Sequence, residues 1–260
     1  MNAYPVPNAL PETPAAEQTT AVPDTAEALA HLAIIMDGNR RWAAARGLPA
    51  SAGHRAGAEA LKNLMPALGE SDLSTVSVYG FSQLNWQRSR GEIARLFALM
   101  RRSIDELAER CIDEALCVEF LGRRDRLPRS LVKGMERIEN RTASFHRTLR
   151  IALDYSGQEA IAMAAARLQE QAKERVQHTA DNPADLGEAL QSLQQSRAIR
   201  GDRVDLMIRT GGEQRLSDFL IWECAHAELR FEPCMWPDFS AEHLQAAIDD
   251  FYGTDRRQGR

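Results

Sequence analysis

The sequence predicts a single α/β domain in which helices flank a mostly parallel sheet. Short apolar or β-branched segments of strand length alternate along the chain with longer segments whose apolar residues recur every three or four positions. The first apolar segment, 32–36, is an unbroken run, as expected for a strand buried on both faces of a parallel sheet. Alternation of strands with helices favours such a sheet over an all-α or all-β fold.

The first half of the chain follows this alternation closely. After the run 32–36, an Ala-rich segment is predicted to be helical, and a second helix follows 53–57, because its apolar residues between 61 and 68 share one face. A strand is predicted over 75–81, which is rich in β-branched and aromatic residues. The helix predicted over 90–115 carries a wide apolar stripe, which usually indicates packing on a core.

The second half continues the alternation and shows no internal repeat. Strands are predicted over 117–122 and 149–155, with a helix over 128–144 between them. The remaining predicted elements are a helical stretch over 158–195 with a break at 181–183, a strand over 204–208, a helix from Phe219, a short apolar segment over 229–231 and a C-terminal helix after Pro237.

Composition is that of a soluble globular protein and argues against several functions. The 260 residues suffice for a full core, and 44% hydrophobic with 27% charged residues is ordinary. The formal net charge of −5 argues against nucleic-acid binding, which usually needs a basic face. The four cysteines form no C-x-x-C pair and fit buried thiols in a reducing cytosol. No apolar run approaches the roughly 20 residues that span a bilayer, so we expect a cytoplasmic protein, at most peripheral to a membrane.

Residues 1–28 differ from the rest of the chain. Five of the 11 prolines fall there, and no lysine or arginine precedes Arg40. Signal peptides begin with a basic segment and transit peptides contain arginines, so neither is indicated. We predict a disordered leader over 1–28 and one domain over 29–260.

The strand 32–36 ends in an abrupt polar segment. Asp37, Gly38 and Asn39 follow it directly, and then come Arg40 and Arg41. A buried strand that opens into an acid, a glycine and backbone amides at a helix start can hold an anion. A tight turn with an N-cap explains Asp37, Gly38 and Asn39 equally well when they are taken alone.

Two further polar loops, 82–88 and 209–217, also follow predicted strands directly. Loops at the carboxyl ends of strands in an open α/β sheet share one crevice, where ligands bind. Arginine favours bidentate phosphate recognition, and several arginines together indicate more than one phosphate group, hence diphosphates. The residues gathered in this way are Arg40, Arg41, Arg88, Arg209 and Arg215, with Asp37, His54, Ser82, Asn85 and Ser217.

These motifs resemble those of the cis-prenyltransferases, the isoprenyl transferase or undecaprenyl diphosphate synthase family. The matching stretches run in the same order along the chain, from about residue 31 to 257. They are HLAIIMDGNRRW at 31–42, GHRAG at 53–57, FSQLNWQR at 81–88, DLMIRTGGEQRLSDFLIW at 205–222, AHAELRF at 225–231 and WPDF at 236–239. Motifs of this length are very specific.

The resemblance implies a fold and a reaction. It implies a homodimer whose subunit has a six-stranded parallel sheet and a hydrophobic tunnel between the sheet and two helices. The implied reaction is a Mg²⁺-dependent condensation of isopentenyl diphosphate with an allylic diphosphate, each new double bond being cis. The product would be an undecaprenyl-type lipid carrier precursor, which suggests peripheral membrane contact through the lipid.

The resemblance also implies roles for individual residues. Asp37 would hold Mg²⁺ and help the allylic diphosphate leave, with Glu228 completing the metal site. Asn85 would be placed for proton removal. The allylic diphosphate would be held by Gly38, Asn39, Arg40, Arg41 and His54, with Trp42 beside them. Isopentenyl diphosphate would be held by Arg209, Arg215 and Ser217, and Ser82, Trp86 and Arg88 would surround Asn85. Leu96, Leu99, Met100 and Ile104 would line the tunnel.

Four positions depart from the common family pattern: Ala50 stands where an arginine is common, Arg40 for a glycine, Leu84 for an acid and His226 for a tyrosine. Arg40 and Ala50 alter the expected allylic pocket, and Leu84 alters the loop of Asn85. Ordinary drift with a relocated arginine is one interpretation. The other is a specialised member that makes a short or irregularly joined prenyl diphosphate.

Other classes fit the sequence less well. A trans-prenyltransferase or terpene cyclase needs D-D-x-x-D helices, but Asp249 and Asp250 are followed by Phe-Tyr-Gly. The P-loop pattern of phosphotransferases is absent. A non-catalytic subunit of a prenyltransferase complex typically lacks the metal aspartate and the Asn-x-x-Arg loop, whereas this chain has Asp37 and the loop from Asn85 to Arg88.

Overall fold

The computed structural model describes residues 28–176 and 203–254. The predicted leader, 1–28, lies outside the described residues except for residue 28, and so does the predicted helix break at 181–183. The domain boundaries therefore stay a prediction.

Within the described residues, six parallel strands form one sheet in the order β3-β4-β2-β1-β5-β6. The strands are β1 His31–Ile35, β2 Thr75–Ser82, β3 Leu116–Leu121, β4 Arg147–Tyr155, β5 Leu206–Arg209 and β6 Glu228–Phe231. Each predicted strand is confirmed with small shifts at its ends. Because β1 lies between β2 and β5, the loops that follow these three strands emerge side by side.

Helices cover both faces of the sheet. They are α1 Asn39–Ala44, α2 Ala50–Glu70, α3 Arg90–Asp113, α4 Arg129–Thr142, α5 Gly157–Val176 and α6 Ala241–Gly253, with short 3₁₀ helices at Gln83–Gln87 and Trp236–Asp238. The predicted polar loop 82–88 is thus mostly a 3₁₀ turn. Ser82 caps it: the Ser82 side chain accepts a hydrogen bond from the Asn85 N–H, and the Ser82 N–H donates to the Asn85 side chain.

The helix predicted from Phe219 is wrong. Residues 217–226 form a series of turns. Ser217, Asp218 and Leu220 have φ angles of 48°, 66° and 46°, and left-handed backbone cannot continue a right-handed helix. The apolar spacing of this segment reflects burial of Phe219 and Leu220 against the sheet instead.

Alternate residues of the central strand serve two separate cores. Leu32 and Ile34 of β1 pack into the larger core with α2, α3, α4 and α6. Ala33 and Ile35 face a smaller core, which also contains Phe219 and residues of α5. This two-faced burial explains the unbroken apolar run of the opening strand.

Close packing of α1 on α2 depends on two glycines of the GHRAG motif. A Cβ at Gly53 would lie 1.9 Å from the Asn39 carbonyl oxygen, and one at Gly57 would lie 2.1 Å from Asn39 Oδ1. The motif therefore lies inside α2 and lets the backbone of α1 approach it. That contact holds Asn39 at the end of β1.

None of the helices within 28–176 and 203–254 is long and apolar enough to cross a membrane.

Candidate active site

A cavity of about 490 Å³ lies between the sheet and helices α2 and α3. Its polar lining comes largely from the carboxyl ends of β1, β2 and β5, as the sequence predicts. The polar lining includes Asp37, Asn39, His54, Ser82, Asn85, Arg88, Arg209, Arg215 and Ser217. The apolar lining includes Leu61, Leu96, Leu99, Met100, Ile104, Leu107, Phe120, Leu131, Ile151 and Leu153. The apolar stripe of α3 is therefore partly cavity wall.

Asp37 lies between two arginines, directly after β1. Its Oδ2 accepts from Arg209 Nη2 at 2.9 Å, its Oδ1 accepts from the Gly38 N–H at 2.6 Å, and Arg41 Nη2 lies 3.3 Å from Oδ1. Burial alone would raise the pKa of Asp37, but the hydrogen bonds from Arg209 and Gly38 and the charges of Arg209 and Arg41 together lower this pKa below its ordinary value. Asp37 is therefore an ionised carboxylate at neutral pH.

Arg209 is almost fully buried, with 4% of its surface exposed. Its Nη1 donates to the Arg215 carbonyl oxygen at 2.5 Å and to Ser217 Oγ at 2.6 Å. Among the described residues its Nε has no hydrogen-bond partner. A buried guanidinium N–H without a partner, next to a cavity, is suited to donate a hydrogen bond to an oxyanion.

A chain of charges crosses the other side of the cavity mouth. Glu92, in the first turn of α3, lies 3.3 Å from Arg88 Nη1 and 3.8 Å from Arg40 Nε. Burial lowers the pKa of His54, as do the charges of Arg88 and Arg40, whereas the charge of Glu92 raises it; the net shift is downward. His54 is therefore neutral at pH 7, with an imidazole that can take up a proton when an anion binds beside it.

Five predicted site residues near the cavity are not part of its lining: Gly38, Arg40, Arg41, Trp42 and Trp86. Gly38 and Arg41 contact Asp37, whereas Arg40 lies near Glu92. Trp42 Nε1 donates to Asp238 Oδ1 at 2.7 Å, and the Arg46 guanidinium lies over the Trp42 ring, so both of these contacts are with residues outside the cavity lining. Trp86 packs beneath the Gln83–Gln87 turn, against Phe81.

The structure does not bring Glu228 to Asp37 within one chain. Glu228 begins β6 and pairs with Leu206, at the amino end of the sheet, whereas Arg209 pairs with Phe231. This three-residue offset corresponds to roughly 10 Å along the strands. Strand register thus separates Glu228 from Asp37 within one chain, and the part of Glu228 in a metal site stays a prediction.

The fit of Mg²⁺ to the remaining residues can be judged from Asp37. Within the described ranges no three His, Cys, Asp or Glu side chains form a cluster that could hold a metal by themselves. Mg²⁺ commonly uses one or two carboxylates together with substrate phosphates and waters. An ionised Asp37 at the rim of an arginine-lined cavity fits that arrangement.

The sequence reasoning missed several residues that shape this site. Glu92 joins Arg40 and Arg88, and Thr210 donates its hydroxyl to the Asp37 carbonyl oxygen at 2.7 Å. Asp154, which is fully buried near the end of β4, contacts Trp86. One signal could have identified Asp154: like Asp37, it is an acid near the end of an apolar strand.

Comparisons with known proteins agree with this geometry. The undecaprenyl diphosphate synthase family matches residues 35–259. An isoprenyl transferase of Caulobacter vibrioides is 40% identical over 230 residues, covering 88% of this chain and 87% of that protein. A ditrans,polycis-undecaprenyl-diphosphate synthase of Pseudomonas syringae pathovar tomato, named as specific for (2E,6E)-farnesyl diphosphate, is 39% identical over 233 residues, covering 88% and 90%.

Solved structures with a similar fold are also found. A probable undecaprenyl diphosphate synthase from Campylobacter jejuni has a TM-score of 0.71 at 27% identity, covering 90% of this chain and 100% of that one. A lavandulyl diphosphate synthase from Lavandula x intermedia has a TM-score of 0.80 at 24% identity, covering 88% and 98%. At that identity the second similarity supports the fold alone.

Proposed function

The chain belongs to the undecaprenyl diphosphate synthase family of prenyltransferases, and on that premise we propose that it extends a cis-prenyl chain in the cavity described above. The bond from the allylic carbon to its diphosphate oxygen breaks, a carbon–carbon bond to isopentenyl diphosphate forms, and a proton leaves. The observation that carries this proposal is the placement of arginines and the Asp37 carboxylate at the mouth of a largely apolar cavity of about 490 Å³.

Departure of the allylic diphosphate concentrates negative charge on phosphate oxygens. Mg²⁺ held by the Asp37 carboxylate would neutralise part of that charge. We assign the remaining contacts to Gly38, Asn39, Arg40, Arg41 and His54. Gly38 and Arg41 contact Asp37, whereas Asn39 and His54 line the cavity and Arg40 lies 3.8 Å from Glu92. Preorganised donors of this kind act most strongly where charge develops in the transition state.

Isopentenyl diphosphate would bind on the β5 side. The Nε of Arg209, which has no hydrogen-bond partner among the described residues, offers one donor. Arg215 and Ser217 lie on the loop that follows β5. Arg215 is paired with Glu213, at 2.5 Å, and its side chain is 61% exposed, so it can turn toward a phosphate at little cost. This arrangement would place the second diphosphate across Asp37 from the first.

Asn85 is the residue that we place beside the departing proton. Its Oδ1 accepts from the Ser82 N–H at 3.1 Å, which fixes the orientation of the amide. Arg88 follows on the same turn and lines the cavity. The two side chains would therefore approach isopentenyl diphosphate from the β2 side.

We also propose that the protein is a homodimer. Strand β6 is an edge of the sheet within the described residues, Leu229 on it is 47% exposed, and Trp222 nearby in sequence is 37% exposed. Exposed apolar residues at a sheet edge favour pairing with another chain. Sedimentation of the purified protein would test this. The cytoplasmic location and peripheral membrane contact through the lipid product stay predictions from the sequence.

The function is tested with purified protein, labelled isopentenyl diphosphate, Mg²⁺ and either geranyl or farnesyl diphosphate as primer. We expect labelled prenyl diphosphates whose chain lengths are read by mass analysis. A long product would indicate an undecaprenyl-type enzyme. A short or branched product would favour the specialised alternative that Arg40 and Ala50 suggest. No turnover with any primer would refute the proposal and favour a non-catalytic subunit.

A further inference from the structure

Asp154 occupies a β-bulge directly beneath the turn that carries Asn85. Phe81 pairs with Leu153 and the next residue, Ser82, pairs with Tyr155, so Asp154 is the extra residue on β4. Its φ of 52° is unusual for a residue with a side chain, and none of its surface is exposed. Bulges next to functional sites redirect side chains, and strained backbone persists only where its surroundings enforce it.

The buried carboxylate of Asp154 accepts hydrogen bonds from two neighbours. Arg126, on the loop between β3 and α4, donates from Nε to Oδ2 at 2.8 Å and from Nη2 to Oδ1 at 2.5 Å. Trp86 donates from its indole Nε1 to Oδ1 at 2.7 Å. A fully buried charge needs such pairing, and the two parallel bonds from Arg126 fix the plane of the carboxylate. Its orientation toward Trp86 is thereby set.

Trp86 transmits this orientation to the turn. The indole ring is held by edge contacts to Phe81 and Phe97, with ring centroids 5.5 and 5.6 Å away, and the Arg126 guanidinium lies 5.5 Å from the ring centroid. Trp86 directly follows Asn85 within the 3₁₀ turn. Since the turn is only five residues long, a fixed indole fixes the backbone from which Asn85 projects.

We propose that Asp154 and Arg126 are positioning residues for Asn85 and Arg88. They fix the Trp86 side chain and thereby the turn that carries Asn85 and Arg88, without contacting substrate. This inference rests on the proposed function, because that function assigns proton removal to Asn85 on the turn. Small displacements of a catalytic group can cost about 100-fold in rate.

Activity variants separate positioning from binding. In Asp154→Ala we expect kcat to fall about 100-fold with KM for both diphosphates changed only a few-fold, because the phosphate contacts lie elsewhere. Trp86→Phe keeps an aromatic ring but loses the indole N–H donor, and it should show the same split between kcat and KM. The double variant should be no worse than the more damaged single variant, because both remove one link. Asp154→Asn keeps an acceptor and a residue type that tolerates left-handed backbone, so it should partly rescue kcat.

The contact itself has a readout that needs no turnover. With ¹⁵N-labelled tryptophan the four indole N–H groups give separate signals, and Trp86→Phe identifies the signal of Trp86. Asp154→Asn and Arg126→Gln should both shift that signal, since each changes the charge at its acceptor. Arg124→Gln is the matched control: Arg124 lies on the same loop but pairs with Glu139, so the signal and kcat should stay as in wild type.

A destabilised control excludes a merely structural effect. Thr142 is buried far along α4, where its hydroxyl accepts from the Val118 N–H and donates to the Ile138 carbonyl, so Thr142→Val should lower Tm and leave kcat unchanged. Equal losses of kcat in Thr142→Val and Asp154→Asn would overturn the inference, as would an unmoved Trp86 signal. An inactive wild-type protein would instead overturn the proposed function, whereas an Asp154→Ala variant as active as a working wild type overturns only the positioning role.

Discussion

Replacing Asp37 by asparagine should tighten diphosphate binding without Mg²⁺ and lower turnover with Mg²⁺. In the ligand-free protein the carboxylate is the acidic partner of Arg209 and Arg41, at 2.9 and 3.3 Å. A metal-free diphosphate must compete with it for these arginines and is also repelled by its charge. Asp37→Asn removes the competitor and keeps the size of the side chain.

The magnitude follows from this geometry. Unit charges about 4 Å apart interact by about 4 kcal/mol at an effective dielectric constant of 20. Because the Asp37 side chain is 32% exposed, solvent screening reduces this, and we expect about 1–2 kcal/mol, or roughly tenfold tighter binding of pyrophosphate without metal. Turnover with Mg²⁺ should fall on the order of 10³-fold, since the metal loses its carboxylate.

Titration calorimetry with pyrophosphate, in EDTA and in Mg²⁺, measures the first effect, and incorporation of labelled isopentenyl diphosphate measures the second. Asp105→Asn is a matched control, because it removes an exposed carboxylate paired with Arg137 on the surface of α3 and α4. Weaker pyrophosphate binding by Asp37→Asn in EDTA would refute the competition argument. Near-normal turnover would refute the assignment of Asp37 to the metal.

Three further results are expected. Gly57→Ala places a methyl group 2.1 Å from Asn39 Oδ1 and 2.9 Å from Trp236 Cδ1, so we expect a loss of about 1–3 kcal/mol of stability and a raised KM for the allylic substrate; unchanged melting would contradict the packing argument. The pKa of His54 is lowered in the folded state, chiefly by burial, so the unfolded chain binds more protons than the folded chain as pH falls. The stability that neutral His54 contributes is fully present above its ordinary pKa of 6.5 and is lost as pH falls through the pKa of the folded state. Between about pH 7 and pH 5 the free energy of unfolding, measured by denaturant titration, should therefore decrease less for His54→Asn than for wild type. Equal decreases in the two proteins would contradict this role of His54. Asp218 Oδ1 accepts from the Gln158 N–H at 2.9 Å and Oδ2 accepts from Ser156 Oγ at 2.5 Å. Asp218→Ala should therefore cost about 1 kcal/mol of stability and raise KM for isopentenyl diphosphate through the adjacent Ser217. A KM equal to that of wild type would show that these hydrogen bonds do not position Ser217.

Much of the cavity mouth was predictable from local sequence. Asp37, Ser82 and Arg209 each lie at or just beyond the end of an apolar strand, and parallel strands bring their carboxyl ends to one edge of a sheet. The stripe of α3 was likewise visible as periodicity. Its second role, as a wall of the cavity, was implied only by the family resemblance and depends on how α2 and α3 pack over the sheet.

Other features of the chain could not be predicted from local patterns. The helix predicted from Phe219 had a plausible apolar pattern, but three left-handed residues end any helix there. The register of β6, which pairs Glu228 with Leu206 at the amino end of the sheet, was not visible in the sequence. Trp42 has a partner, Asp238, that lies 196 positions away in sequence. These arrangements depend on backbone conformation, strand register and contacts between residues distant in sequence.

By itself the sequence determined which segments are strands and helices, the family, and most of the charged residues at the cavity. These depend on periodicity, residue type and chain order, which act over a few neighbouring positions. Only the tertiary structure decided that the Asn39 side chain packs against Gly57, that Asp37 pairs with two arginines, and that Asp154, at a β-bulge, accepts a hydrogen bond from Trp86. Those arrangements arise from register and close packing between segments distant in sequence, and no local pattern encodes them.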